Sequence, residues 1–194
     1  MPNLNLDKSR TAVLSMGLFK GVAAHTQMAQ ERDTIGKARK VLDAARAASV
    51  PVIHVVIGFR EGYPEVSDRN KLFSVFKQNG IFKMGSEQVE IHDDVKPAPG
   101  EVVVSRPRVN PFYNSELGSI LRAKHVDTLV LMGVPTNIIV ESTARWAADA
   151  DYRVIILEDC CASFNVEAHD WTLKNILPLL VDVASSDDFL ESIR

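Results

Sequence analysis

Only two of the 194 residues are cysteine, and they are neighbours, Cys160-Cys161. Adjacent cysteines cannot staple distant parts of a chain and lack the spacing of metal ligands, which points to a reducing compartment and no structural zinc. Basic surplus is missing too: the formal net charge is -3, with no run of like charges, so no cationic face is available for nucleic acid. No stretch approaches about eighteen consecutive apolar residues, and the start, Met1-Pro-Asn-Leu-Asn-Leu-Asp-Lys8, has no basic region followed by an apolar run. A cytoplasmic protein with no membrane partner is expected. Internal repeats and low-complexity segments are also absent, and the length suits a single domain over residues 1–194 with a sizeable core.

What is present is alternation. Apolar, β-branched runs bounded by turn signals are expected as strands at Thr11–Met16, Val52–Val56, Glu101–Ser105, Thr128–Met132, Arg153–Glu158 and Asp182–Ala184. Helical spacing of apolar residues places helices at Met28–Ala48, Ser115–Lys124, Asn137–Asp151 and Val166–Leu180. This order predicts an α/β fold, a three-layer sandwich around a doubly wound, six-stranded, mostly parallel sheet. Residues 57–100 break the rhythm with Gly58, Gly62, Pro64, Gly80, Gly85, Pro97, Pro99 and Gly100. A loop-rich excursion of that length in a compact domain is usually functional or an interface. In such sheets, ligands bind beyond the carboxyl ends of the strands, where strand order reverses. Ser15, Arg106, the 133–139 segment and Asp159-Cys160 all fall near such ends.

The segment Leu131-Met-Gly-Val-Pro-Thr-Asn-Ile-Ile-Val-Glu-Ser-Thr143 is a buried strand that breaks at Gly-Val-Pro and restarts as a helix. It resembles the strand-to-helix elbow of the isochorismatase-like cysteine hydrolases. Matching framework continues through Thr11-Ala-Val-Leu-Ser-Met16, Arg106-Pro-Arg-Val-Asn-Pro-Phe-Tyr-Asn-Ser-Glu-Leu117 and Tyr152-Arg-Val-Ile-Ile-Leu-Glu-Asp-Cys-Cys-Ala-Ser163. The resemblance implies a Rossmann-like hydrolase with an aspartate, a lysine and a nucleophilic cysteine. At those three positions this chain carries Ser15, Arg106 and Ile139.

Each replacement changes the chemistry. Isoleucine has no lone pair, so thioester formation at Ile139 is excluded. An alcohol at Ser15 is too weak an acid to replace a carboxylic acid near neutral pH, which also weakens the acid-catalysed vinyl-ether cleavage that some relatives perform without cysteine. Ser15 fits either a small strand-ending residue bonding the backbone or a hydroxyl facing ligand. Arg106 keeps a positive charge in planar form, suited to clamping a carboxylate, though a structural ion pair is equally compatible. The family has a cis peptide at the junction matching Val134-Pro135, and proline lowers the cost of cis to about 0.5–1 kcal/mol. A turn of that kind can offer backbone N–H groups to an anion.

Phe19, Phe59, Arg60, Tyr63 and Phe112, with Tyr113, follow strands and are candidate pocket walls, together with Val134 and Pro135. His54 within a strand and His169 on a helix are expected to be structural. No Asp-x-His pattern follows the second strand, so the zinc site of nicotinamidase relatives is not expected, nor is any cofactor. Cys160 and Cys161 are expected to pack as small hydrophobes. The resemblance and the excursion's extra surface together imply a homo-oligomer. Two functions remain open: a divergent hydrolase of a small anionic, amide or vinyl-ether substrate working without a cysteine nucleophile, or a non-catalytic ligand-binding or assembly member of the family.

Overall fold

The computed structural model describes residues 4–194. Six strands, β1 (Thr11–Met16), β2 (Val52–Ile57), β3 (Val102–Arg106), β4 (Thr128–Gly133), β5 (Arg153–Cys161) and β6 (Asp182–Ala184), form one sheet in the order β3-β2-β1-β4-β5-β6. Every pairing is parallel. The central strands β1 and β4 are buried along their whole length because both faces of the sheet are covered, which is why they read as unbroken apolar runs. One core cluster gathers Val13, Val130, Ile155 and Leu157 on one face, and a second gathers Leu14, Leu129, Leu131 and Ile156 on the other. The strand order reverses between β1 and β4, placing the switch point at their carboxyl ends.

Two glycines make that switch point possible. Gly17 has φ 68° and Gly133 φ 150°. A Cβ on Gly17 would lie 1.9 Å from the Val134 carbonyl oxygen, and one on Gly133 would lie 1.9 Å from the Met16 carbonyl oxygen. The two chain segments cross in backbone contact, sealed by the Val134 N–H donating to Met16 O at 3.0 Å.

Several helices differ from expectation. The single helix expected over Met28–Ala48 is two, α1 (Gln27–Glu31) and α2 (Thr34–Ala47), because Asp33 adopts φ 51°, a left-handed conformation that ends one helix and starts the next. The excursion contains α3 (Lys71–Gln78), started by Asn70, whose side chain accepts from the Phe73 N–H at 3.0 Å. Next come α4 (Leu117–Ala123), α5 (Glu141–Asp149) and α6 (Val166–Trp171). The helix expected to run to Leu180 loosens after Trp171 into a π turn and then a 3-10 turn carrying Pro178. A final helix, α7 (Ser186–Ser192), was not anticipated although Ser185 and Asp188 form a capping box.

At the other end of the sheet, buried charge locks α2 to β2 and to the chain entering β3. Arg46 grips Glu101 through Nε and Nη2 at 2.8 and 2.9 Å, and His54 Nε2 lies 3.0 Å from the same carboxylate. Burial by itself would raise the Glu101 pKa, but Arg46, the Ala98 N–H and His54 hold it down at about 2.

Gly133→Ala is expected to cost on the order of 3 kcal/mol or more, since methyl and carbonyl cannot occupy the same space and neither strand can withdraw from the sheet. Urea denaturation of wild type and variant measures this. A loss under 1 kcal/mol would mean that the crossing is far more yielding than its geometry indicates.

Candidate active site

The elbow after β4 carries the chain from strand to helix through a cis Val134-Pro135 peptide and a π turn at Thr136–Val140. Its amides are largely spent on carbonyls. Val134 N–H donates to Met16 O, Thr136 N–H to Ala162 O, and the N–H groups of Ile138 and Ile139 to Pro135 O, while Pro135 has no N–H to give. The anion-binding turn envisaged from the sequence is thus mostly closed by internal bonding.

A cavity of ≈ 260 Å³ opens beside this elbow. Its floor is formed by Val134, Pro135 and Ile138, one side by Phe19 and Val22 after β1, and another by Ile57, Arg106 and Val109 at the ends of β2 and β3. The excursion supplies the roof through Leu72, Phe73 and Phe76 of α3 and the following Ile81 and Phe82, and Phe164 stands at the mouth, well exposed. Tyr63 holds the roof in place by donating its hydroxyl to Ile81 O at 2.8 Å, and Gln88 accepts from the Phe82 N–H at 2.9 Å.

Among the described residues, Arg106 is the only ionisable side chain on these walls. It is 6% exposed, its Nη1 donates to Arg108 O, and its Nε has no partner among the described residues. Burial alone pushes its pKa down, to about 9. Guanidinium therefore stays protonated at neutral pH while lacking, among the described residues, the counter-ion that a buried charge ordinarily requires.

Of the residues singled out in the sequence, Phe19, Arg106, Val134 and Pro135 meet at this cavity, and the others lie elsewhere. Ser15 sits one residue before the end of β1, flanked by Met132 and His54, and its buried hydroxyl bonds nothing among the described residues. Ile139 is fully buried in the core of the opposite sheet face, and its neighbour Ile138 meets the cavity. Ile139 was equated with the family's nucleophile by resemblance alone, and in the π turn at Thr136–Val140 it is Ile138 that lines the cavity. Phe59 is fully buried behind the wall against Tyr63 and Phe73. Arg60 points outward and pairs with Glu65 at 3.1 Å, and Phe112 stacks on Trp146 with ring centroids 4.0 Å apart. The roof phenylalanines were missed, although Asn70 followed by Phe73 and Phe76 is a capped helix with an i,i+3 aromatic face.

A second buried polar group braces the elbow. Thr136 Oγ1 lies 2.7 Å from His169 Nδ1 and 3.0 Å from Ala162 O. One hydroxyl hydrogen serves both contacts only if His169 Nδ1–H donates to Thr136 and Thr136 donates to Ala162, which leaves the Nε2 lone pair without a partner among the described residues. Burial, then the charge of Arg32, pushes the His169 pKa down to about 4. Cys160 and Cys161 are fully buried, and burial raises both thiols, Cys161 to about 12, so neither supplies a thiolate near neutral pH. Among the described residues no group of three or more His, Cys, Asp or Glu could hold a metal ion, and no helix is long and apolar enough to cross a membrane.

Comparison with known proteins places this geometry in context. The model of the isochorismatase domain matches residues 11–188. The chain is 29% identical to the uncharacterised isochorismatase family protein YwoC of Bacillus subtilis, with both covered in full. It is 30% identical to the ureidoacrylate amidohydrolase RutB of Rhizobium rhizogenes, covering 98% of this chain and 86% of the relative. A cysteine hydrolase from Pseudomonas syringae pv. phaseolicola superposes with a TM-score of 0.89 at 25% identity, over 97% of this chain and 94% of the other.

Two expectations follow. The native state leaves His169 unprotonated between its folded value of about 4 and the ordinary 6.5, whereas the unfolded chain takes up that proton. Stability should thus fall by roughly 3 kcal/mol as pH drops from 6.5 to 4, and His169→Gln should flatten the slope, leaving the smaller His54 contribution of the same sign. Denaturation curves across that range test it, and an unchanged slope in the variant would remove His169 as the cause. Cysteine scanning tests the elbow. Ile138→Cys should react with a small neutral alkylating reagent in the folded protein, and Ile139→Cys should react only on unfolding. The opposite ranking would restore Ile139 as the cavity residue.

Proposed function

The chain belongs to the isochorismatase family of hydrolases, and from that premise we propose that the Arg106 cavity is its ligand site, binding a small carboxylate-bearing molecule without the covalent chemistry of cysteine members. One observation carries this reading: a protonated guanidinium with no counter-ion among the described residues lines an otherwise apolar chamber. A carboxylate supplies the missing charge and two acceptors matched to the guanidinium fork. The name of the RutB relatives, ureidoacrylate amidohydrolase, describes a substrate that itself carries a carboxylate, which is consistent with an anion-seeking site.

Covalent catalysis has no support in the walls of the cavity. None of the residues lining it bears a thiol, hydroxyl, imidazole or carboxyl group. With Ile139 at the position equated with the family's nucleophile and Ser15 at that of its aspartate, binding without turnover is the reading favoured by the side chains present. Hydrolysis by direct attack of water is the second reading. Arg106 supports it, because a buried cation can stabilise the oxyanion formed when water adds to a carbonyl.

Arg106→Met separates these roles. It should weaken binding of small carboxylates by about 10- to 100-fold, the loss of a charge-assisted hydrogen-bonded pair. The ligand-free protein should become no less stable, and gain up to about 2 kcal/mol, because an unpaired buried charge has been replaced by apolar volume. Calorimetric titration and thermal melting measure the two effects. Assaying a panel of amides and vinyl ethers alongside then distinguishes binding from Arg106-dependent turnover. Carboxylate affinity that survives the substitution would sink the assignment of the site.

A further inference from the structure

The cavity walls specify more than a carboxylate. Resting on the reading of Arg106 as a carboxylate anchor, we propose that the ligand is an aryl monocarboxylate, between benzoate and cinnamate in size. Five of the eight phenylalanines in the chain line this one cavity. Three of the rings are already arranged edge to face, Phe19 and Phe82 at 5.9 Å and 85° and Phe76 and Phe82 at 5.0 Å and 81°, and Phe73 lies tilted against Phe76 at 5.6 Å and 36°. Such a cluster presents ring faces and ring edges side by side, and a planar aromatic guest continues the pattern where a puckered aliphatic ring does not.

Volume sets the size. An apolar cavity of about 150 Å³ accommodates benzene, so ≈ 260 Å³ holds a ring plus a carboxylate and a spacer of one or two carbons. Charge sets the valence. Arg106 is the single ionisable group on the walls among the described residues, so the charge of one carboxylate balances it. A second carboxylate, or an α-ammonium group, would be stranded among phenylalanines without a partner. Dicarboxylates and amino acids are thereby disfavoured. The exposed Phe164 and Leu72 leave the mouth open to a ring entering carboxylate first.

The test is calorimetric titration of the full chain with benzoate, phenylacetate and trans-cinnamate, against cyclohexanecarboxylate, hexanoate, phthalate, L-phenylalanine and benzyl alcohol. Aryl monocarboxylates should bind roughly 3- to 30-fold more tightly than cyclohexanecarboxylate, with phthalate, phenylalanine and the alcohol at least about 10-fold weaker than benzoate. Phe82→Leu should narrow the aryl preference. Phe164→Leu, at the exposed mouth where folding is not at stake, provides the same readout if the first variant fails to fold. If hexanoate or cyclohexanecarboxylate binds as tightly as the aryl acids and that binding is lost in Arg106→Met, the aryl assignment is overturned while the carboxylate site stands. If no carboxylate binds in the millimolar range, both are overturned.

Discussion

The whole arrangement depends on two backbones touching where side chains would not fit. At the reversal of strand order, Gly17 and Gly133 let the end of β1 and the elbow of β4 pass within hydrogen-bonding distance. That contact brings the elbow up against the loop carrying Phe19, so that Val134 and Pro135 become a floor instead of a distant turn. With a methyl group in the way, the strands would part at the switch point, and the ends of β2 and β3 would no longer converge on the same space.

Into that space the fold delivers one charge. Elsewhere, half-buried carboxylates have partners: Glu101 meets Arg46 and His54, and Asp159 accepts from the backbone and hydroxyl of Ser186. Arg106 differs: its Nη1 donates to the Arg108 carbonyl, and no carboxylate pairs with it among the described residues. What sets Arg106 apart from the other buried groups without a partner, such as the Ser15 hydroxyl and His169 Nε2, is that it carries a full charge on a cavity wall, and the proposed carboxylate would balance that charge.

Strand content and sheet topology were legible because a doubly covered parallel strand has an unmistakable apolar run, as in Thr11–Met16 and Thr128–Gly133. Arg106, Phe19, Val134 and Pro135, which the structure brings to one cavity, were legible because each lies at or just past the carboxyl end of a strand. What escaped the reading depends on backbone detail that periodicity does not encode. Asp33 in a left-handed conformation split one helix, and in the π turn after β4 Ile138, not Ile139, lines the cavity. Phe112 was placed at the ligand because it follows β3, but its flat face found Trp146. The roof was hidden by the glycines around it, which made residues 57–100 look like loop although a capped helix lies within.

The roof also divides the protein's tasks between two parts of the chain. Floor and charge come from sheet termini that share atoms with the core, so drift there endangers folding. The roof is drawn from a peripheral segment pinned by a few bonds such as Tyr63 to Ile81 and Gln88 to Phe82. Substitutions along α3 can recut the chamber without disturbing the strands beneath. A scaffold of this kind can change what it recognises faster than it changes shape, and divergence among its relatives should concentrate over the mouth while the crossing of β1 and β4 stays still.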